Sequence, residues 1–202
     1  MKRLWTADAK KDWDSALASY DAVIARQGVA RLADLERWYS DELPVSIAGR
    51  ARAHVSHAEL VKVTEWKMAR GIWRVRNLAL VRGNTPATVE TISAQALAEV
   101  PHPTAPIATL AELAGVGPAT ASAVVAASAP DLYPFFDELV ADQIPGLGKV
   151  AYTLGYYARY ATALRERAKA LGGPWTPALV ERALWAHAGG KAGARESRKA
   201  RA

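Results

Sequence analysis

The stretch TEWKMARGIWRVRN, from Thr64 to Asn77, mixes cations and aromatic rings. Lys67, Arg70 and Arg74 recur at three- and four-residue intervals, which sets them on one face of a helix. Trp66 and Trp73 lie beside that face, and Glu65 adds a carboxylate. Cations with aromatic neighbours suit phosphates and the flat faces of bases. The same spacing also describes a solvated charged face over buried tryptophans, and both readings stand at this stage.

A second stretch, LAELAGVGPATASAVVAAS, runs from Leu110 to Ser128. Gly115 and Gly117 bracket Val116, and Pro118 follows at once. A turn this tight between helices calls for residues that accept positive φ and carry no Cβ, and glycine meets both needs. Proline then starts the second helix, where its missing N–H costs nothing. The N–H groups of Gly115, Gly117 and the first helical turn, Ala119 and Thr120, are expected to face outward. With the helix dipole they would form an anion site that fits a phosphate and reads no sequence. An ordinary helix–helix turn is the plainer alternative.

Helical periodicity holds nearly throughout, as in Trp13, Leu17, Tyr20 and Ile24. Helices are expected near 10–27, 30–40, 44–53, 57–70, 72–82, 86–99, 107–113, 118–128, 137–142, 147–171 and 177–188. Thr85–Pro86 and Thr176–Pro177 read as N-cap followed by proline at the first helical position. The expectation is a compact all-α, multi-helix domain over residues 1–190, with its hairpin at 107–128. Residues 191–202 hold five basic residues, one acid and no large apolar side chain. They are expected to form a disordered tail that either holds phosphates loosely or is simply a solvated end.

The chain has 202 residues, a net charge of +6 and no cysteine. It therefore builds no disulfide, thiolate metal site or iron–sulfur cluster. The N-terminus has no apolar run after its basic start, and nothing approaches the ~20 apolar residues of a membrane span. A soluble, cytoplasmic protein is expected, nucleoid-associated if bacterial, with no membrane contact. His54, His57, His102 and His187 lack metal-ligand spacing, and no Gly-rich triphosphate loop occurs.

The string LAELAGVGPATASAVV resembles the helix-hairpin-helix motif of the DNA glycosylase superfamily that includes endonuclease III. That family carries an essential aspartate after the second helix, in a Gly/Pro-rich loop. Asp137, in YPFFDELV, stands 18 residues beyond Ala119, at the matching register. The resemblance implies a glycosylase-like fold and a monomer that binds damaged or mismatched double-stranded DNA. It implies excision of a base in base excision repair, with Asp137 as the catalytic residue. Gly115, Val116, Gly117, Ala119 and Thr120 would grip the DNA backbone, joined by Lys67, Arg70 and Arg74. Glu65 and Trp66 are candidates for the base pocket. The backbone carbonyls of Ala111, Leu113 and Val116 are the implied ligands of a monovalent cation. Bifunctional members have a lysine where this chain has Ala119, which implies hydrolysis without strand cleavage unless Lys67 or Lys149 supplies an amine. Asp137 also reads as a plain N-cap. The rival functions are a non-catalytic DNA-binding protein and an RNA- or protein-binding helical domain.

Overall fold

Proline and glycine set many of the helix boundaries. The structure, a computed structural model, describes residues 4–7 and 9–192. After a 3-10 turn at Leu4–Thr6 come α1 (Lys10–Ala18), α2 (Tyr20–Ala25) and α3 (Leu32–Arg37). A π-helical turn, Trp38–Glu42, joins α3 to α4 (Leu43–Ala48). Then follow α5 (His57–Arg70), α6 (Val75–Arg82), α7 (Pro86–Ala98), α8 (Ala105–Leu110) and α9 (Pro118–Ser128). The last are α10 (Glu138–Ala141), α11 (Leu154–Leu171) and α12 (Pro177–His187). Among the described residues there is no strand, so the all-helical expectation holds.

Both Thr-Pro starts behave as expected: Thr85 Oγ1 accepts from Thr88 N–H and Thr176 Oγ1 from Leu179 N–H, each at 3.2 Å. Several expected helices are shorter: the one expected over 44–53 ends at Ala48, and the one expected over 72–82 starts at Val75. The one expected over 10–27 divides at Ser19, whose hydroxyl donates to Ala16 O at 2.7 Å. A serine that bonds its own backbone in this way competes with helix continuation. The one expected from residue 147 starts at Leu154, because Gly146 and Gly148 take φ of +82° and +72°.

Helix α9 forms the centre. Its run Thr120–Ala127 is buried all round, which its small residues permit. A helix apolar on every side must lie inside, and α4, α5 and α8 cover it. Leu110, Leu113, Ala121, Val124 and Val125 join the core as expected. Each fully buried leucine or valine contributes roughly 1.5–3 kcal/mol. A second layer is made by α1 and α11, both packed on α12. Trp13 sits edge-on to Trp5 and Trp175 there.

Between α9 and α10 the chain is pinned at successive carbonyls. Tyr133 donates to His102 O at 2.7 Å, Tyr157 to Pro134 O at 3.2 Å and Tyr160 to Phe135 O at 2.7 Å. Phe136 N–H donates to Ser122 Oγ on α9 at 2.9 Å. The segment that delivers Asp137 is therefore rigid for a stated reason: almost every residue before it is tied to α9, to α11 or to the loop after α7.

Candidate functional site

The turn before α9 is held by α6. Gly115 takes φ +76°, and a Cβ there would lie 2.6 Å from Asn77 O and 2.8 Å from Leu80 Cβ. Asn84, just past α6, clamps the preceding residue: its Oδ1 accepts from Ala114 N–H and its Nδ2 donates to Ala114 O, both at 3.0 Å. Gly117 differs. Its φ is −107°, and a Cβ there would meet nothing within 4 Å. The need for positive φ and a bare Cα thus applies to Gly115 and not to Gly117. Thr120 and Ala121 N–H both turn inward to Gly117 O, so Thr120 offers no outward backbone donor. Gly117 and Ala119 N–H remain without a hydrogen-bond partner among the described residues. Val116 is buried.

Beside this helix start lies a cavity of about 260 Å³. Gly117, Ala119 and Thr120 line it from α9, Lys67 from α5, Arg74 from the link to α6, and Asp137 and Glu138 from α10. Asp137 is only 6% exposed. Its Oδ1 accepts from Leu139 N–H at 2.7 Å, so it does cap α10. Burial pushes its carboxyl above the usual aspartate range, and Arg70, Lys191 and the Leu139 N–H pull it back only in part. Asp137 opens α10, but that helix has only four residues, and desolvation outweighs so short a dipole. Burial and the charge of Arg74 lower the Lys67 ammonium, while Asp137 supports it.

Three expected members stand elsewhere. Arg70 is 2% exposed and pairs with Glu181 of α12 at 2.7 Å, so it does not offer a phosphate contact. It lies among the rings of Trp66, Phe135 and Trp185. Trp66 is fully buried, stacked on Tyr39 at 3.6 Å, with its indole N–H donating to Glu36 at 2.7 Å. Trp66 and Arg70 line a second cavity of about 290 Å³, and Phe135 lines both. Glu65 pairs with Arg82 at 2.9 Å and Arg31 at 3.5 Å and lines neither cavity. Lys149 is exposed in the loop before α11 and does not line the Asp137 cavity.

One lip of the Asp137 cavity carries Ile72, which is 53% exposed. Next to it in sequence Trp73 and Val75 are 50% and 71% exposed, with Arg74 and Arg76 between and beside them. Leu113 O accepts from Val116 N–H at 3.1 Å, and no hydrogen bond among the described residues occupies Ala111 O or Val116 O. No group of three or more His, Asp or Glu suited to a metal occurs among the described residues, nor does a helix long and apolar enough to cross a membrane.

Four contributors were not legible from spacing or residue type. Ser122 and Tyr160 position the aspartate's segment; Glu181 withdraws Arg70; Lys191 lines the cavity although it falls in the expected tail. Residues 193–202 of that tail lie outside the described residues. No protein-family model, no curated protein and no solved structure matches this chain.

Proposed function

We propose that this protein is a DNA glycosylase of base excision repair, which binds damaged or mismatched duplex DNA and hydrolyses the N-glycosidic bond of one base. The observation that carries the reading is a convergence: Asp137, the start of α9 at Gly117–Ala119, Lys67 and Arg74 line one cavity. The hairpin register of the sequence thus corresponds to proximity in space.

In this reading a phosphate lies against the free N–H groups of Gly117 and Ala119, with Lys67 and Arg74 beside it. The exposed Ile72 and Trp73 suit the apolar faces of unstacked bases. The bond between C1′ and the base nitrogen breaks, its electron pair leaves with the base, and the sugar becomes an oxocarbenium ion. Asp137 as carboxylate stabilises that charge and orients a water, whose oxygen bonds to C1′. One water proton passes to the carboxylate and on to the departed base. Ala119 brings no amine. Lys67 does, and burial makes it less basic than usual, so its attack on C1′ is the competing chemistry. Borohydride should trap no protein–DNA adduct; an adduct lost in Lys67→Ala would move the reaction to an imine route.

The capping bond to Leu139 and the burial of Asp137 favour a second reading, a DNA-binding protein without catalysis. Base release from duplex oligonucleotides bearing alkylated, oxidised, deaminated or mismatched bases separates the two. Free base from one of these classes, with the strand intact until alkali is added, is the expected result. Salt-dependent duplex binding without release would establish the second reading, and no duplex binding would sink both.

A further inference from the structure

The chain returns to the Asp137 cavity after α12. Gly189 and Gly190 take φ of +73° and +62° and turn the backbone back. Gln27, just beyond α2, clamps the returning segment on two sides. Its Nε2 donates to Gly189 O at 3.1 Å, and its Oε1 accepts from Ala192 N–H at 3.0 Å. The same Nε2 donates to Val23 O at 2.9 Å, which anchors the clamp to α2. A Cβ on Gly190 would stand 2.6 Å from Gln27 Nε2, so any other residue there would displace the clamp. Between the two clamped residues, Lys191 lines the cavity and pairs with Glu138, next to Asp137 in sequence. Its side chain is only 16% exposed. Tyr152 completes the arrangement by donating to the other Glu138 oxygen at 2.9 Å.

We propose that Lys191 is a positioning residue of this site: its ammonium is a counter-charge to Asp137, set in place by the Gln27 clamp. The C-terminal segment is then part of the active centre. The inference rests on Asp137 being the working carboxylate, but its test needs no substrate.

The charges around Asp137 fall into three groups. From α5, Arg70 and Lys67 both attract the carboxylate, and Arg70, although paired with Glu181, does so more strongly than Lys191, itself paired with Glu138. Glu138 of α10 and Glu181 of α12 repel it. Tyr152 and Tyr160 face it as phenols whose ionisation burial makes harder still. Helix α9 contributes no titratable side chain. Lys191 therefore works against two carboxylates in a setting that already disfavours charge. It is also a cation outside the helical core, held by one glutamine, so its contribution can be removed without dismantling the Arg70–Glu181 pair.

The experiment is a carbon-13 carboxyl NMR titration of the full chain, with the Asp137 signal assigned by its loss in Asp137→Asn. Lys191→Met should move the Asp137 midpoint upward by about one pH unit. Lys191→Arg should restore it, and Gln27→Ala should move it in the same direction as Lys191→Met. The acid limb of any base-release profile should follow the same order. A Lys191→Met midpoint equal to wild type, or an arginine variant displaced as far as the methionine one, overturns the proposal. If the midpoints move as expected while no oligonucleotide loses a base, Lys191 keeps its role and the glycosylase reading fails. If bases are released and the midpoints coincide, the glycosylase reading stands and this one falls.

Discussion

Lys67 and Arg70 stand three residues apart on one helix, yet one reaches an open cavity and the other a closed ion pair. The partner makes the difference. Glu181 arrives from α12, 111 residues further along the chain, and takes the Arg70 guanidinium at 2.7 Å. No carboxylate forms an ion pair with Lys67 among the described residues; it lines the cavity near Asp137 and Arg74. A cation consumed inside the fold serves structure, and a cation left over can serve a ligand. Arg70 Nε, the Tyr20 hydroxyl and the Trp185 indole N–H lie buried around the Arg70–Glu181 pair with no hydrogen-bond partner among the described residues.

The largest effect should come from breaking the closed pair. Arg70→Ala leaves Glu181 buried and alone and should cost about 3–5 kcal/mol in urea unfolding. The double variant Arg70→Met, Glu181→Met should recover most of that loss. If Arg70→Ala unfolds like wild type, the pair is not the structural element described. The pair also predicts a pH dependence. Burial pushes Glu181 up to about 7 in the folded chain, against the pull of Arg70. Its unfolded value is about 4.3, so the folded state binds the proton more tightly. Its contribution to stability is full below about pH 4.3 and is lost as pH rises through about 7. Unfolding free energy measured across that window should fall, and Glu181→Gln should remove this share of the slope.

The two glycines of the turn sharpen the contrast between structure and ligand. Gly115→Ala forces a Cβ against Asn77 O at positive φ. It should cost about 1–3 kcal/mol, visible as a lowered Tm. Gly117→Ala adds a methyl into open space. Its stability should stay within about 0.5 kcal/mol of wild type, while duplex affinity falls because the methyl stands beside the free N–H groups. Equal destabilisation by both would show that Gly117 is structural too.

The smallest effect belongs to Lys67. Lys67→Ala should leave Tm nearly unchanged. It should reduce the slope of log affinity against log salt by about one. An unchanged slope would mean that Lys67 meets no phosphate.

Local signals in the sequence were legible where local physics decides. Threonine caps, proline starts and the core face of α9 follow from spacing and residue type. The juxtaposition of Asp137 with the α9 start does not follow from spacing or residue type, and only the resemblance pointed to it. What escaped depends on distant partners. Nothing near Trp66 announces Tyr39 and Glu36, and nothing near Arg70 announces Glu181, so both looked available for a ligand. Glu65 looked free because Arg31 and Arg82 are remote in sequence. Lys191 looked like tail because its anchor, Gln27, sits at the opposite end of the chain. The pinning of Phe135 and Phe136 by Tyr160 and Ser122 is hidden for the same reason: tyrosines at helical spacing read only as core.

The most direct measurement compares wild type and Asp137→Asn on whichever oligonucleotide loses a base, with single-turnover release and duplex affinity read on the same samples. Asparagine can still accept the Leu139 N–H and cap α10, so the change removes the carboxylate charge and little else. Release should fall by about 10³-fold or more, the scale on which electrostatic groups at a reacting centre act, and affinity should stay equal or rise slightly. Release at the wild-type rate by Asp137→Asn would contradict the account and leave Asp137 as a helix cap.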